Sequence, residues 1–469
     1  MRVAFHTLGC KVNQYETEAM KEAFVSRGAT IVGEDESADV YIVNTCTVTN
    51  IADRKSRQYI RRMKGVNPEA YVVVTGCYAQ VESEEVSALP EVDLVVGNSN
   101  KSKICDIVCG VMSGASVSDV TDESRLVLPR NELTEFENMG LVVSSESGMT
   151  RAYIKIQEGC DRFCAYCLIP FARGPVRSRP LDEILEEARM LLDAGYRELV
   201  LTGINTALYG TEPGFIMNLH DEEGRVLPGC EELAMLSENN LRSIAPIELV
   251  LARLNAMDQD FRIRLSSLEP TVVDKNDVER IIRYDKLCHH LHLSVQSGST
   301  HVLGLMNRHY TKDDYLDIVN AIHEYDPYYN ITTDIIVGFS GETESDFQDS
   351  IDVTRAAEFG KVHIFRYSKR KGTVGEKLPD EIPATVKTER SKVLSTASDE
   401  VAKKFIEKNC EITHRVLTEE RHGNYVTGYT GNYIKTYIED SKKELALGEF
   451  YNVQLIESYK DGCKARIIE

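Results

Sequence analysis

No segment of the 469-residue sequence stays apolar over the roughly 20 residues that a membrane helix requires. The amino-terminal Met1-Arg-Val-Ala-Phe-His-Thr7 has one basic residue and a short apolar run, without the longer apolar core of a signal peptide. The protein is therefore expected in the cytoplasm, with no membrane partner and in a reducing environment. Positive charge is also scarce. Fifty-four Lys and Arg against 74 Asp and Glu give a formal charge of -20, which excludes indiscriminate phosphate binding over the whole surface. Apolar residues are not in deficit: 42% hydrophobic and 27% charged usage excludes a disordered or fibrous chain. The length allows roughly three domains, each with its own core.

Residues 1–112 alternate short β-branched runs with helical patterns. The runs Val3–His6, Val40–Val43, Tyr71–Val74 and Asp93–Val96 are too apolar for a half-exposed sheet, and they predict a doubly wound parallel sheet covered on both faces. Residues 113–150 fill with Ser, Glu, Asp and Gly and read as a linker, with one strand expected at Arg125–Leu128. A second α/β series spans 151–384, with strands expected at Tyr153–Ile156, Glu198–Leu201, Arg262–Leu265, His290–Ser294, Thr333–Val337 and Val362–Phe365. Six βα units predict a partial or complete barrel with chemistry at the carboxyl ends of its strands. The acidic segment 211–245 reads as an insertion. A connecting helix is expected over 385–409 and a small all-β module over 410–469.

Twelve cysteines in a reducing compartment point to ligands, catalysts or buried small side chains rather than disulfides. Cys160, Cys164 and Cys167 fall within eight residues, directly after the first strand of the second series. Structural zinc wants four protein ligands, and no fourth Cys or His stands nearby. An iron-sulfur cluster held by three thiolates, with one iron open, fits better. Cys10, Cys46 and Cys77 are distant in sequence, yet each follows an expected strand of the first sheet by a few residues. The carboxyl ends of parallel strands share one edge, so these three thiols are expected to meet. They form either a second three-cysteine centre or scattered core positions. Cys105, Cys109, Cys230, Cys288, Cys410 and Cys463 have no ligand spacing and receive no role.

Asp53–Lys64 carries six Lys and Arg against one Asp. It is either a solvated helix face or a local phosphate-binding surface, with Arg57, Arg61 and Arg62 as the RNA-binding candidates. In the last module Tyr425, Tyr429, Tyr433 and Tyr437 recur every four residues. They are either an aromatic core layer or a base-stacking face. Cys410–Glu469 holds eight Lys and Arg against ten Asp and Glu, so bulk charge does not favour RNA there.

The Cys-x3-Cys-x2-Cys spacing resembles the radical S-adenosylmethionine superfamily. Thr7–Glu18, Asn44–Asn50, Thr75-Gly-Cys77, Gln157–Cys160 and Thr333–Phe339 are together similar to the methylthiotransferases. That resemblance implies an amino-terminal domain with an auxiliary cluster, a radical core and a TRAM-like β module, with two 4Fe-4S clusters and S-adenosylmethionine as cofactors. It makes Cys10, Cys46 and Cys77 ligands of one cluster and Cys160, Cys164 and Cys167 ligands of the other. An electron donor such as a flavodoxin-type reductant and a tRNA substrate are the implied partners. Gly9–Asn13 and Cys46–Asn50 look like the branch acting on N6-threonylcarbamoyladenosine beside the anticodon. Branches acting on isopentenyladenosine or on a ribosomal protein are alternatives, and so is an iron-sulfur electron carrier with an RNA-binding tail. By position after the second, third and fourth strands, Gly203 and Asn205, Ser266 and Glu269, and Gln296 and Ser297 are expected cofactor contacts or turn residues. Ser340, where the family usually has proline, is a departure from the pattern.

Overall fold

The computed structural model describes residues 1–140, 150–238, 244–270 and 272–468. The chain divides into two units. One comprises Met1–Ser144, Lys155–Pro180 and Ser368–Glu376, and the other Ser145–Ile154, Leu181–Tyr367 and Lys377–Glu469.

The first unit is built on strands β1 (Arg2–Thr7), β2 (Thr30–Val32), β3 (Val40–Thr45), β4 (Tyr71–Gly76) and β5 (Leu94–Val95), in the order β2-β1-β3-β4-β5. All four ladders are parallel. Every residue of β3 is buried, as expected where helices cover both faces. Val3, Ile42 and Val73 pack with Phe24 and Ile104 on one side. Ala4, Tyr41, Val43, Val72 and Val74 pack with Ile60 and Met63 on the other. The parallel sheet expected from residues 1–112 is present, with β2 added at its edge. β2 was missed because Thr30 is exposed, Ile31 and Val32 are only half-buried, and the three residues carry no alternation. The strand expected at Arg125–Leu128 is absent. Glu123–Arg125 forms a single 3-10 turn, and Leu126 instead drops into the core and accepts the Gly97 N–H at 2.7 Å. Residues 141–149 of the expected linker lie outside the described residues.

In the sequence that follows, β6 (Arg151–Lys155) leads into the short hairpin-like pair β7 (Gln157–Glu158) and β8 (Arg177–Ser178). The remaining wall consists of β9 (Glu198–Thr202), β10 (Arg262–Leu265), β11 (Ser267–Leu268), β12 (His290–Leu293), β13 (Asn330–Val337) and β14 (Lys361–Arg366). One sheet has the order β10-β9-β6 and the other β11-β12-β13-β14. Only Ser266 separates β10 from β11, so the chain passes from one sheet into the other. Among the described residues no ladder joins β14 back to β6, which makes the barrel partial. The helices Lys275–Ile281, Lys312–Tyr325 and Glu344–Ala356 each open with a capping box, on Asp274, Thr311 and Thr343, fixing where each strand-to-helix loop ends. In the 211–245 segment, Leu219, Cys230 and Leu233 pack against Leu249 and Ala252 of the helix Ile247–Asn255. Residues 239–243 of that segment lie outside the described residues.

The helix Ala384–Lys408 leads to a closed barrel of β15 (Thr413–His422), β16 (Tyr425–Thr430), β17 (Lys435–Glu439), β18 (Phe450–Tyr459) and β19 (Gly462–Ile467), ordered β15-β16-β17-β19-β18. Its core is Val416, Ile438, Val453, Leu455, Cys463 and Ala465, closed at one side by Phe405 of the helix. No helix among the described residues is long and apolar enough to cross a membrane.

Candidate active site

The carboxyl edge of the first sheet brings Cys10, Cys46 and Cys77 together. Cys10 caps the helix Lys11–Ser26 after β1, Cys46 follows β3 directly, and Cys77 opens the short helix Cys77–Val81 after β4. Two glycines make this approach possible. Gly9 has φ +108°, and a Cβ on it would lie 2.8 Å from the Cys46 Cβ and 3.0 Å from its sulfur. Gly76 has φ +96°, and a Cβ there would meet the Thr45 carbonyl at 2.3 Å; both positions are closed to larger residues. Burial pushes the Cys46 thiol up to about 12, and Cys77 and Cys10 add to the rise.

Cys160, Cys164 and Cys167 occupy a loop closed on itself. Gly159, at φ +76°, lies so close to Pro175 that an added Cβ would fall 1.7 Å from its carbonyl oxygen. The Cys160 N–H donates to Gly174 at 3.0 Å and the Cys167 N–H to Cys164 at 2.9 Å. The Ile169 N–H donates to the Cys167 sulfur at 3.4 Å. All three cysteines are half-buried, as a centre that must admit a small cofactor requires. Among the described residues no three His, Cys, Asp or Glu are grouped as ligands of one metal ion. A four-iron cluster binds its thiolates on separate irons, and three-thiol donor sets of this chemistry fit that group.

Sequence reasoning missed Arg173, on the helix Ile169–Arg173 that follows the cysteine loop. Its guanidinium donates to the Cys77 sulfur from Nε at 3.3 Å, to Asn13 at 2.6 Å, and to both carboxylate oxygens of Glu16. Burial opposes the Glu16 charge, but Arg173, Lys101 and Lys155 hold its carboxyl well below the usual range. Arg370 was likewise unassigned. It donates to Thr47 at 2.6 Å, pairs with Asp53 at 2.6 Å and holds Asn50, fixing the loop after Cys46.

In the second unit the expected cofactor residues divide. Asn205 donates to Glu269 at 2.8 Å, and Arg308 pairs with Glu269 at 2.6 Å. These three form one buried polar chain beyond the carboxyl ends of β9 and β11. Arg308 was missed because it follows a helix rather than a strand. Gly203 directly follows β9. Ser266 is buried, its N–H bound to Leu201 at 3.0 Å and its Oγ without a partner among the described residues. Gln296 sits at φ +66° and exchanges backbone hydrogen bonds with Asp334 and Ile336, both at 2.9 Å. Ser297 is fully buried, and its Oγ accepts the Ser299 N–H at 3.2 Å, which is the turn role. Also unforeseen was a polar cluster on β12 and β13. His292 contacts Thr332 at 2.9 Å and Asp334 at 3.0 Å, and Ser294 donates to Asp334 at 3.0 Å.

Residues 2–97 match the Uncharacterized protein family UPF0004, and residues 154–354 match the Radical SAM superfamily. The chain is 37% identical to the threonylcarbamoyladenosine tRNA methylthiotransferase MtaB of Bacillus subtilis, covering 100% of this chain and 97% of that protein. It is 39% identical to the MtaB of Aquifex aeolicus, over 90% and 94% of the two chains. This chain belongs to the radical S-adenosylmethionine methylthiotransferases. A tRNA-2-methylthio-N(6)-dimethylallyladenosine synthase of Caldicellulosiruptor saccharolyticus is 31% identical over 98% and 91%. In fold, the chain is similar to the radical S-adenosylmethionine methyltransferase TsrM of Kitasatospora setae, with a TM-score of 0.52 at 14% identity over 78% and 74%. Membership implies one 4Fe-4S cluster and S-adenosylmethionine.

In this methylthiotransferase the basic helix Asn50–Val66 is only partly available to a partner. Arg57 donates to the Tyr78 hydroxyl at 2.7 Å and to Glu85 at 3.0 Å, and Arg62 pairs with Asp35. Arg54, Lys55 and Arg61 are exposed and have no ion pair among the described residues. The four tyrosines do not act as one row. Tyr429 stacks on Tyr433 at 4.9 Å, and Arg151 lies 5.0 Å from the Tyr429 ring. Arg264 lies 4.4 Å from the Tyr433 ring, and its Nη1 donates to the Gly431 carbonyl at 3.4 Å. This turn therefore rests on the arginines of β6 and β10. Tyr425 and Tyr437 instead cluster with Tyr459, at 5.9 and 5.1 Å from its ring. Lys460 and Lys464 approach the Tyr459 ring at 5.1 and 4.9 Å, and Lys435 the Tyr437 ring at 5.4 Å.

Proposed function

We propose that the protein is a cytoplasmic tRNA methylthiotransferase that converts N6-threonylcarbamoyladenosine to its 2-methylthio derivative. The observation that carries this reading is the presence, within one compact unit, of two cysteine triads whose loops are joined by Arg173. Cys160, Cys164 and Cys167 would hold one cluster, and Cys10, Cys46 and Cys77 a second. When bound, these groups supply the electron that cleaves S-adenosylmethionine and an iron site for the sulfur to be transferred. The chain's own residues bind and orient. Gly203, Asn205, Ser266, Glu269 and Arg308 form the polar wall for the cofactor, with Gln296 shaping the backbone beside it.

Arg54, Lys55 and Arg61 are assigned to tRNA phosphates, in place of Arg57 and Arg62, whose charges are already met. Tyr425 and Tyr459, packed on the buried Tyr437, form a second RNA surface with Lys460, in which the two rings offer stacking faces and the Lys460 ammonium, unlike those of Lys435 and Lys464, is not paired with a carboxylate among the described residues. A flavodoxin-type protein serves as the reductant. The threonylcarbamoyl substrate is favoured by Gly9–Asn13 and Cys46–Asn50 and by the names of the relatives from Bacillus subtilis and Aquifex aeolicus. Mass spectrometry of tRNA nucleosides from cells with and without the protein tests it. The 2-methylthio-N6-threonylcarbamoyl nucleoside should vanish in its absence and return with the intact gene but not with Cys46→Ala. Loss of the 2-methylthio-isopentenyl nucleoside instead would refute the substrate.

A further inference from the structure

Arg173 is part of a buried set of ions that the functions assigned above leave unexplained. The side chains of Arg173, Glu16 and Lys101 have no exposed surface, and those of Lys155 and Glu158 are 1% exposed. Glu16 pairs with Arg173 and Lys101 and lies 3.7 Å from Lys155. Lys155 reaches Glu158 at 3.3 Å, which Arg177 meets at 3.1 Å. Glu137 adjoins the set: its N–H donates to Glu158 at 2.7 Å, and its carboxylate accepts from Ser102 at 2.8 and 3.0 Å. Arg173, Lys101, Lys155 and Arg177 thus outnumber Glu16, Glu158 and Glu137 even when all three carboxyls are charged. A buried positive excess calls for a counter-charge, and the network ends on the sulfur of Cys77, through Arg173 Nε at 3.3 Å.

We infer that Arg173 is a positioning residue that tunes the auxiliary centre. Its charged N–H bond to the Cys77 thiolate, backed by the surrounding cations, withdraws electron density from that sulfur and favours the more negative, reduced state of whatever Cys10, Cys46 and Cys77 hold. Because Arg173 stands six residues beyond Cys167, the same side chain ties the loop of one triad to a ligand of the other. The inference rests on the two-cluster reading of the preceding subsection.

The test uses the full chain with Cys160, Cys164 and Cys167 replaced by Ala, reconstituted anaerobically so that only the auxiliary site loads. Iron content and an EPR-monitored midpoint potential are measured for this parent, for Arg173→Lys, for Arg173→Gln, and for Glu16→Gln with Arg173→Gln. Arg173→Gln should lower the reduced-to-oxidised ratio about tenfold at the parent's midpoint, a shift of about 59 mV for one electron. Arg173→Lys, which keeps the charge but loses the fork, should fall between. Where the single Gln variant loses iron because Glu16 keeps only Lys101 and the more distant Lys155 as partners, the double variant carries the comparison. An unchanged midpoint in an iron-loaded Gln variant overturns the inference, as does loss of iron from both Gln variants, which would make Arg173 a scaffold residue alone. A parent that takes up no iron overturns the auxiliary cluster itself and the inference with it.

Discussion

Replacing Arg54, Lys55 and Arg61 together by Glu should weaken tRNA binding in a way that the structure allows to be calculated. Each cation is exposed and without an ion pair among the described residues, so each is free to displace a counterion from a phosphate. A contact of this kind contributes about 0.7 to 0.9 to the slope of log affinity against log salt. Losing three should flatten the slope by roughly 2 to 2.7. Over a fourfold rise in salt, for example from about 50 to 200 mM, the affinity of the unaltered protein should then fall roughly 16- to 42-fold more than that of the variant. The assay is filter binding or fluorescence anisotropy of a tRNA anticodon stem-loop across that range, with iron content as a control. The paired substitution Arg57→Gln with Arg62→Gln is the internal comparison. Those charges already face Tyr78, Glu85 and Asp35, so the slope should move little. Equal flattening in both variants, or none in the triple, would refute the division of this helix into committed and available cations.

Reconstitution of the intact protein should give about eight irons, falling to about four when Cys10, Cys46 and Cys77 are all replaced by Ala; colorimetric iron and sulfide assays check this. Burial pushes the Glu137 carboxyl up to about 7 against the pull of Lys155, with Glu158 adding to the rise. A carboxyl raised in the folded state contributes stability that is complete below its unfolded value and lost as pH climbs to its folded one, so stability should fall by roughly 3 kcal/mol between about pH 4.5 and 7. Glu137→Gln should flatten that interval in urea titrations. Tyr459→Leu should cost about 1 to 3 kcal/mol of RNA binding with an unchanged melting temperature, whereas Tyr433→Leu should lower the melting temperature and leave RNA affinity nearly intact.

The parts of the molecule legible in the sequence were those with a strong local signal. β3 and β4 are continuous β-branched runs, and the cysteines beyond them inherit their convergence from the rule that parallel strands end on one edge. The six passes of the partial barrel were visible for the same reason. What escaped was non-local. Arg173 and Arg370 act through partners roughly 100 to 320 positions away, and nothing in their neighbourhoods marks an arginine that will be buried. The expected strand at Arg125–Leu128 failed because a short apolar run, Leu126-Val127-Leu128, can send a single residue, Leu126, into a core without joining a ladder. The tyrosines were misread as one group because spacing assigns a face, while partners along that face are set by elements far away: Arg151 and Arg264 for one pair, Tyr459 for the other.

The turn between β16 and β17 has a bearing on how such proteins can be recombined. Its Tyr433 ring, its Gly431 carbonyl and Asn432 engage Arg264, His290 and Asn330, near the amino-terminal ends of strands, away from the proposed cofactor residues. A chimera that exchanges the carboxyl-terminal module between relatives at residue 410 would transplant one half of this interlock and leave the other behind. Glu198, Arg262 and Arg264, mutually paired beneath the turn, would then meet a foreign surface. Grafts should tolerate exchange only when the turn 429–433 stays with its host or when the barrel-base residues travel with the module. The workable seam for altering RNA preference lies within the module, between that turn and the Tyr459 cluster.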